Sequence, residues 1–238
     1  MILRVGVKPV YSNSFEYNKN KKSKGFTLAE VLITLGIIGV VVAITMPTLI
    51  NNYKEKVTVN KVKKFYSMMS RAYLLSVKDN EHADFWNVGN GENSTTARQL
   101  ALYFKPYLKI QKDCGTTSGC LGYTSVVKRL NGTNYYLNYD TSSNYYKVIL
   151  MDGSAMWFRG AASTYCHSSE GGITNSCGII YYDVNGGKEP NTWGIDIFSF
   201  HLTPVGLSTN KINDCSKTGN GLGCSSYIIQ HGNMNYLH

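Results

Sequence analysis

The chain has 238 residues, a net charge of +9, 43% hydrophobic and 12% aromatic residues, and only 16% charged ones. That composition excludes an intrinsically disordered protein and suits one sizeable domain with accessory segments. The positive charge sits in two places, a net +5 in residues 1–25 (Arg4, Lys8, Lys19, Lys21, Lys22 and Lys24 against Glu16) and a net +4 in residues 54–64 (Lys54, Lys56, Lys61, Lys63 and Lys64 against Glu55). The rest nearly cancels, which argues against a basic nucleic-acid-binding face and puts the charge where membrane topology is read.

Between those flanks, Phe26 to Met46 is a run of 21 residues with a single charge, Glu30. A helix of that length spans about 30 Å, the thickness of a bilayer core. A carboxylate in such a segment costs a few kcal/mol by insertion scales and is a functional candidate by default. After Pro47, the residues Ile50, Tyr53, Val57, Val62, Phe65, Tyr66, Met69, Ala72 and Tyr73 recur every three or four positions, the stripe of an amphipathic helix. The spacing predicts one helix over 26–80, membrane-spanning over 26–47, whose second half packs on a globular body, 81–238.

Asn80 to Ser94 reads as a loop. In "TTARQLALYF", Thr95 or Thr96 is expected to cap a short helix that ends before Pro106. From Tyr123 onward the segments "YTSVVKRL", "TNYYLNY", "NYYKVILMD", "SAMWFRG", "CGIIYYDVN" and "WGIDIFSFHLT" are rich in tyrosine and β-branched residues, with Asn-Gly, Asp-Gly and Gly-Gly between them. They predict an antiparallel sheet built from hairpins, so the fold class is α+β. The tail "CSSYIIQHGNMNYLH" offers one more short strand or helix.

All six cysteines, Cys114, Cys120, Cys166, Cys177, Cys215 and Cys224, follow residue 110. An even number in a loop-rich region favours disulfides in an oxidising compartment. None of the spacings is the C-x2-C of a zinc ribbon. The three sequence-local pairs are favoured among 15 pairings, a choice that spacing alone does not settle. Oxidised cysteines also put the C-terminal body outside the cytoplasm.

"KGFTLAEVLITLGIIGVVVAI" resembles the N-terminal signal of type IV prepilins and type II secretion pseudopilins. The matching residues are the basic Lys21, Lys22 and Lys24, then Gly25, Phe26, Thr27-Leu28-Ala29 and Glu30, with Pro47 where pilins carry a helix-kinking proline. The 25-residue leader is long for the family. The resemblance implies that residues 1–25 are a cytoplasmic leader, cut between Gly25 and Phe26 by a prepilin peptidase that also N-methylates Phe26. It implies a long helix packed on an antiparallel sheet, anchored in the cytoplasmic membrane. It further implies polymerisation with other pilin or pseudopilin subunits on an inner-membrane platform, into a periplasmic or extracellular filament. Physics supplies reasons for two positions. Gly25 leaves its backbone open to a protease. Glu30 can neutralise the ammonium that cleavage creates at Phe26 of a neighbouring subunit, since either charge left alone in a dry core is penalised by several kcal/mol.

Other candidates are weaker. Asp183, Asn185 and Asp196 in "YYDVNGGKEPNTWGID" could offer oxygens to calcium, which some pseudopilins hold in a C-terminal loop. The spacing is not that of an EF-hand, and a hairpin turned at Asn185-Gly186 is the favoured reading. His82, His167, His201, His231 and His238 are scattered, and Cys166-His167 with Cys177 lacks a fourth metal ligand. Tyr135-Tyr136 and Tyr145-Tyr146 could bind sugars, though cross-strand packing explains them as well. The stem lysines could touch DNA, but a solvated or subunit-facing helix side is the ordinary reading. No nucleophile elbow, phosphate loop or carboxylate pair signals an enzyme. The chain therefore reads as a pilin-like structural subunit. The alternative is an extracytoplasmic binding or enzymatic domain on an uncleaved signal anchor.

Overall fold

A computed structural model describes residues 25–89, 91–123, 125–136, 139–163, 166–211 and 214–238. The basic leader, with Lys19 to Lys24, lies outside the described residues. The chain divides into two units, Met1–Thr48 and Leu49–His238.

The long helix α1 covers Leu28–Asn80 and carries Pro47 in its interior. Proline has no N–H, so the carbonyl four residues earlier, at Ala43, loses its intrahelical donor there. In the second unit the stripe becomes a packing face only from Val59 onward. Val59, Val62, Phe65, Met69, Ala72, Tyr73 and Ser76 are buried, whereas Ile50 and Tyr53 stay exposed. Phe65 stacks on Tyr182 with ring centroids 3.9 Å apart and meets Phe200 at 5.4 Å. Full burial of such a ring contributes about 1.5–3 kcal/mol.

Helix α2, Ser94–Phe104, is capped by Asn93 rather than by a threonine. The Asn93 side chain accepts from the N–H groups of Thr95 at 2.9 Å and Thr96 at 3.1 Å, and Thr96 Oγ1 accepts from the Asn93 N–H at 3.4 Å. This reciprocal pair satisfies N–H groups that the first turn leaves without partners. The helix stops before Pro106 as expected.

Among the described residues eight strands follow: β1 Ile110–Gly115, β2 Tyr146–Leu150, β3 Ala155–Gly160, β4 Ser168–Glu170, β5 Ile173–Ser176, β6 Gly178–Asp183, β7 Ile197–Thr203 and β8 Gly206–Ser208. Six form one antiparallel sheet in the order β1-β2-β3-β6-β7-β8, and β4-β5 is a separate hairpin. Helix α3, Cys224–His231, follows and ends at Gly232 in the left-handed region, before a 3-10 turn at Asn235–Leu237. The architecture is α+β and pilin-like, with the stem of α1 packed on an antiparallel sheet.

The central strands are buried on both faces. On one face Tyr146, Val148, Met156, Phe158, Ile180, Tyr182, Phe198 and Phe200 join the core shared with α1 and α2. On the other, Tyr145, Ala155, Trp157, Ile179, Tyr181 and Ile197 form a second core with Leu121, Val127, Tyr139 and Trp193. Two expected strands are therefore something else. The described parts of "YTSVVKRL" and "TNYYLNY" form no strand and hold only isolated bridges, from Lys128 to Asn134 and to Thr192. They are covering loop, and Tyr139 packs against the sheet with its ring 4.9 Å from that of Trp157 and tilted by 38°.

Candidate functional site

The head of α1 carries the residues that the sequence singles out. Glu30 Oε2 accepts from the Thr27 backbone N–H at 2.8 Å and from the Thr27 hydroxyl at 2.9 Å, and Thr27 Oγ1 accepts from the Glu30 N–H at 3.2 Å. The Val31 N–H to Thr27 carbonyl bond, 3.2 Å, is the first rung of the helix. This is a capping box with Thr27 at the N-cap and Glu30 three residues on. The sequence reading passed over Thr27, although its signal, Thr-x-x-Glu before an apolar run, is visible in "FTLAE". Gly25 lies just outside the helix, and among the described residues nothing stands within 4 Å of where a Cβ would be. Phe26 is 87% exposed.

Past the cap, Leu32, Ile33, Leu35, Ile37, Ile38, Val40 and Ile44 are all exposed. This is the one helix among the described residues long and apolar enough to cross a membrane. An uncovered apolar surface of this extent requires lipid or other apolar helices around it. Together, the cap and the apolar face present one carboxylate next to the peptide bond that cleavage would open. The Phe26 nitrogen lies one residue before the Thr27 N–H that Glu30 holds.

The six cysteines form three bonds, Cys114–Cys120, Cys166–Cys177 and Cys215–Cys224. Cys166 and Cys177 are fully buried, and their bond removes both thiols from any metal site with His167. Among the five histidines, His201 is buried on β7, its Nδ1 3.3 Å from Ser176 Oγ. Burial holds its pKa below the usual imidazole value. Tyr145 and Tyr146 are core residues and Tyr136 is exposed. The stem lysine Lys61 donates to the Val184 carbonyl at 2.6 Å, so one of the basic flank's charges is structural.

The loop after β6 is no two-residue hairpin. Residues 184–196 separate β6 from β7, and the structure brings Asp183, Asn185 and Asp196 together across that loop. Asp183 accepts from the Tyr123 hydroxyl at 2.7 Å and the Asn185 N–H at 3.0 Å. Asp196 accepts from the N–H groups of Thr192 at 2.6 Å and Asn191 at 2.8 Å, and from Asn185 Nδ2 at 3.2 Å. Both carboxylates are buried. Burial first, and then the charge of Asp196, pushes the Asp183 carboxyl well up; burial pushes Asp196 up to about 6 against its backbone donors. Two buried amide oxygens of the same loop, Asn185 Oδ1 and Asn191 Oδ1, have no partner among the described residues. Among those residues no three His, Cys, Asp or Glu side chains cluster as metal ligands. The chemistry of the set, two carboxylates and two unpaired amide oxygens, nevertheless fits a hard cation that takes oxygen ligands.

A family model described as the prokaryotic N-terminal methylation motif matches residues 20–46. That motif is the prepilin signal of type IV pilins and pseudopilins, and it covers the basic leader, the Gly25-Phe26 junction and Glu30. No curated protein and no solved structure matches the chain. A second model matches residues 48–223, most of the chain including the stem of α1 and the whole sheet, and the protein therefore belongs to the family it describes, a family of unknown function (DUF6613).

Proposed function

We propose that this protein is a structural subunit of a type IV pilus or type II secretion pseudopilus, and that it is not an enzyme. The observation that carries the reading is the methylation motif over residues 20–46, set directly on a helix whose apolar side chains are uncovered. The subunit enters the cytoplasmic membrane with its C-terminal body outside. A prepilin peptidase cuts between Gly25 and Phe26 and methylates the new amine. The apolar halves of α1 then leave the bilayer for a bundle of like helices on the inner-membrane platform. There, each Glu30 carboxylate offsets a Phe26 ammonium of a neighbouring subunit. The three disulfides suit a body that works in an oxidising compartment.

The test is N-terminal sequencing and mass spectrometry of protein purified from its native membrane. N-methyl-Phe26 is the expected terminus. Because none of the described residues lies within 4 Å of a Cβ at Gly25, Gly25→Leu should leave the C-terminal body folded, and uncut precursor in that variant reports the peptidase. An intact leader on the wild type, or a cut beyond the apolar run, sinks the reading and favours a plain signal anchor.

A second reading concerns the loop of residues 184–196. The unpaired oxygens of Asn185 and Asn191 beside two buried carboxylates favour a calcium ion held by Asp183, Asn185 and Asp196. There it would fasten the loop and do no chemistry.

A further inference from the structure

The second unit carries a cleft of about 730 Å³ along the stem of α1 that neither the methylation signal nor the disulfides explain. One wall is α1 itself, from Lys61 to Leu75; the other is formed by residues around β1 and the β2–β3 turn, including Tyr107, Lys109 and Met151. At 1.5 Å per residue the α1 wall is about 21 Å long. The apolar lining is Phe65, Met68, Ala72, Leu75, Leu150 and Met151, and part of it faces solvent, since Met151 is 65% and Leu75 36% exposed.

The rim is basic. Lys61 and Lys64 stand toward one end of the α1 wall, Arg71 toward the other, and Lys109 on the facing wall, against a single carboxylate, Asp152. Lys61 is engaged by the Val184 carbonyl. Lys64, Arg71 and Lys109 are exposed, and no ion pair joins any of these three to a carboxylate among the described residues. Exposed cations set around an apolar floor recognise an occupant with the reverse arrangement, an apolar face edged by carboxylates. A compact anion would meet one end only. An occupant that neutralises both walls along four turns has the length of a helix of about 14 residues.

Among its described residues, a second copy of this chain offers no such helix. Helices α2 and α3 contain no Asp or Glu, and α1 holds only Glu30, Glu55 and Asp79 over its whole length. We propose that this cleft is a docking groove for an amphipathic helix of a different protein, with acidic residues on both edges of its apolar stripe. The proposal does not depend on cleavage or polymerisation of this chain, so it stands or falls separately from the filament reading.

The test uses the full chain in phosphatidylcholine nanodiscs and dye-labelled synthetic 14-residue helices. Each helix has a Leu/Ala stripe edged by Glu, Gln or Lys, and binding is read by fluorescence anisotropy against empty nanodiscs. The Glu-edged helix is expected to bind. Its affinity should fall at least about tenfold with Lys64→Glu plus Arg71→Glu. It should fall again with Lys109→Glu alone, a substitution on the other wall that guards against a folding defect in the first variant. High salt should weaken it further. The Lys-edged helix should bind the charge-reversed protein instead. Equal binding of the Glu and Gln helices, or binding untouched by either variant, overturns the proposal. So does unlabelled protein of this same chain displacing the probe, which would make the groove homotypic. Phosphatidylglycerol vesicles captured through Lys64 and Arg71 without any helix binding would assign it to lipid headgroups.

Discussion

Both hydrogen bonds that Thr27 gives to Glu30, from its N–H at 2.8 Å and its hydroxyl at 2.9 Å, converge on one carboxylate oxygen, Oε2. The carboxylate that the filament reading needs as a counter-ion is thus already used within its own chain, as the cap of α1. The two roles differ in magnitude. A helix cap of this kind is worth about 1 kcal/mol. A charge left unpaired in a dry helix bundle costs about 3–5 kcal/mol. The two roles do not exclude each other, because a carboxylate has a second oxygen, Oε1, beside the one that caps the helix.

The capping role and the charge role separate by substitution. Thr27→Ala removes the hydroxyl bonds and keeps the Glu30 charge, so cleavage and filament incorporation should drop by less than about fivefold, in line with a cap of about 1 kcal/mol. Glu30→Gln keeps an acceptor for the Thr27 N–H and removes the charge. Incorporation should then fall well over tenfold, since the loss exceeds about 1.4 kcal/mol several-fold. Fractionation of sheared filaments with an antibody to the C-terminal body measures both. Equal damage from the two variants would mean that Glu30 matters as a cap and not as a counter-ion.

The same comparison shows where a sequence speaks and where it does not. Strands β2, β3, β6 and β7 were legible because burial on both faces selects continuous apolar and aromatic runs such as "KVIL" and "GIIYYD". Strand β1, "IQKDCG", is exposed over most of its length, and β4 and β5 are the polar "SSE" and "ITNS"; pattern reading has nothing to find there. Tyr135 and Tyr139 misled in the other direction. Their residue types favour strands, but what holds Tyr139 is contact with Trp157, Tyr181 and Trp193, a tertiary fact with no local signature. At the head of α1 the whole arrangement was local, so it was readable, the Thr27 cap included.

The Cys166–Cys177 bond should matter most of the three, because both sulfurs are fully buried and Cys177 immediately precedes β6, whereas Cys120 and Cys215 are partly exposed. Closing a loop of this length constrains the unfolded chain by about 3 kcal/mol. Replacing Cys166 and Cys177 together by Ser should lower the melting temperature by about 6–12 °C. Replacing Cys114 and Cys120 together should cost less. Thermal unfolding of the two double variants measures the order, and a larger loss at Cys114–Cys120 would contradict it.

His201 gives stability a pH dependence of known sign. Burial keeps its folded-state pKa below the ordinary 6.5, with Arg159 acting in the same direction and Glu170 and Asn210 opposing. The unfolded chain therefore binds the proton more readily. The stability this group contributes is present above pH 6.5 and is lost as pH falls below it, by at most about 1.4 kcal/mol per pH unit. Between pH 7.5 and 5 the wild type should lose more stability than His201→Gln, read as the difference in chemical-denaturation midpoints. Parallel curves for the two proteins would show that the imidazole does not titrate between the states.

Asp183 and Asp196 set the last prediction. Each is buried; burial and then the charge of Asp196 push Asp183 well up, and burial pushes Asp196 up to about 6. A carboxylate whose folded pKa is raised contributes stability below its unfolded value, near 3.8, and that contribution is lost as pH rises through the folded value. At pH 7.5 the loop has therefore lost the proton's help, and a divalent cation can supply the same compensation. Asn185 and Asn191 have unpaired oxygens to complete its shell. Calcium at about 100 times its dissociation constant should stabilise the protein by about 2.7 kcal/mol, or about 5–10 °C in melting temperature. Magnesium should do less, because it demands near-ideal octahedral geometry and gives up water reluctantly. In Asp183→Asn the calcium response should vanish while the hydrogen bond from Tyr123 keeps an acceptor. A thermal-shift titration after chelator treatment reads all three arms. If calcium moves neither the wild type nor the variant, the two carboxylates are held by Tyr123, Asn185, Asn191 and Thr192 alone, and the loop is a hydrogen-bonded clasp.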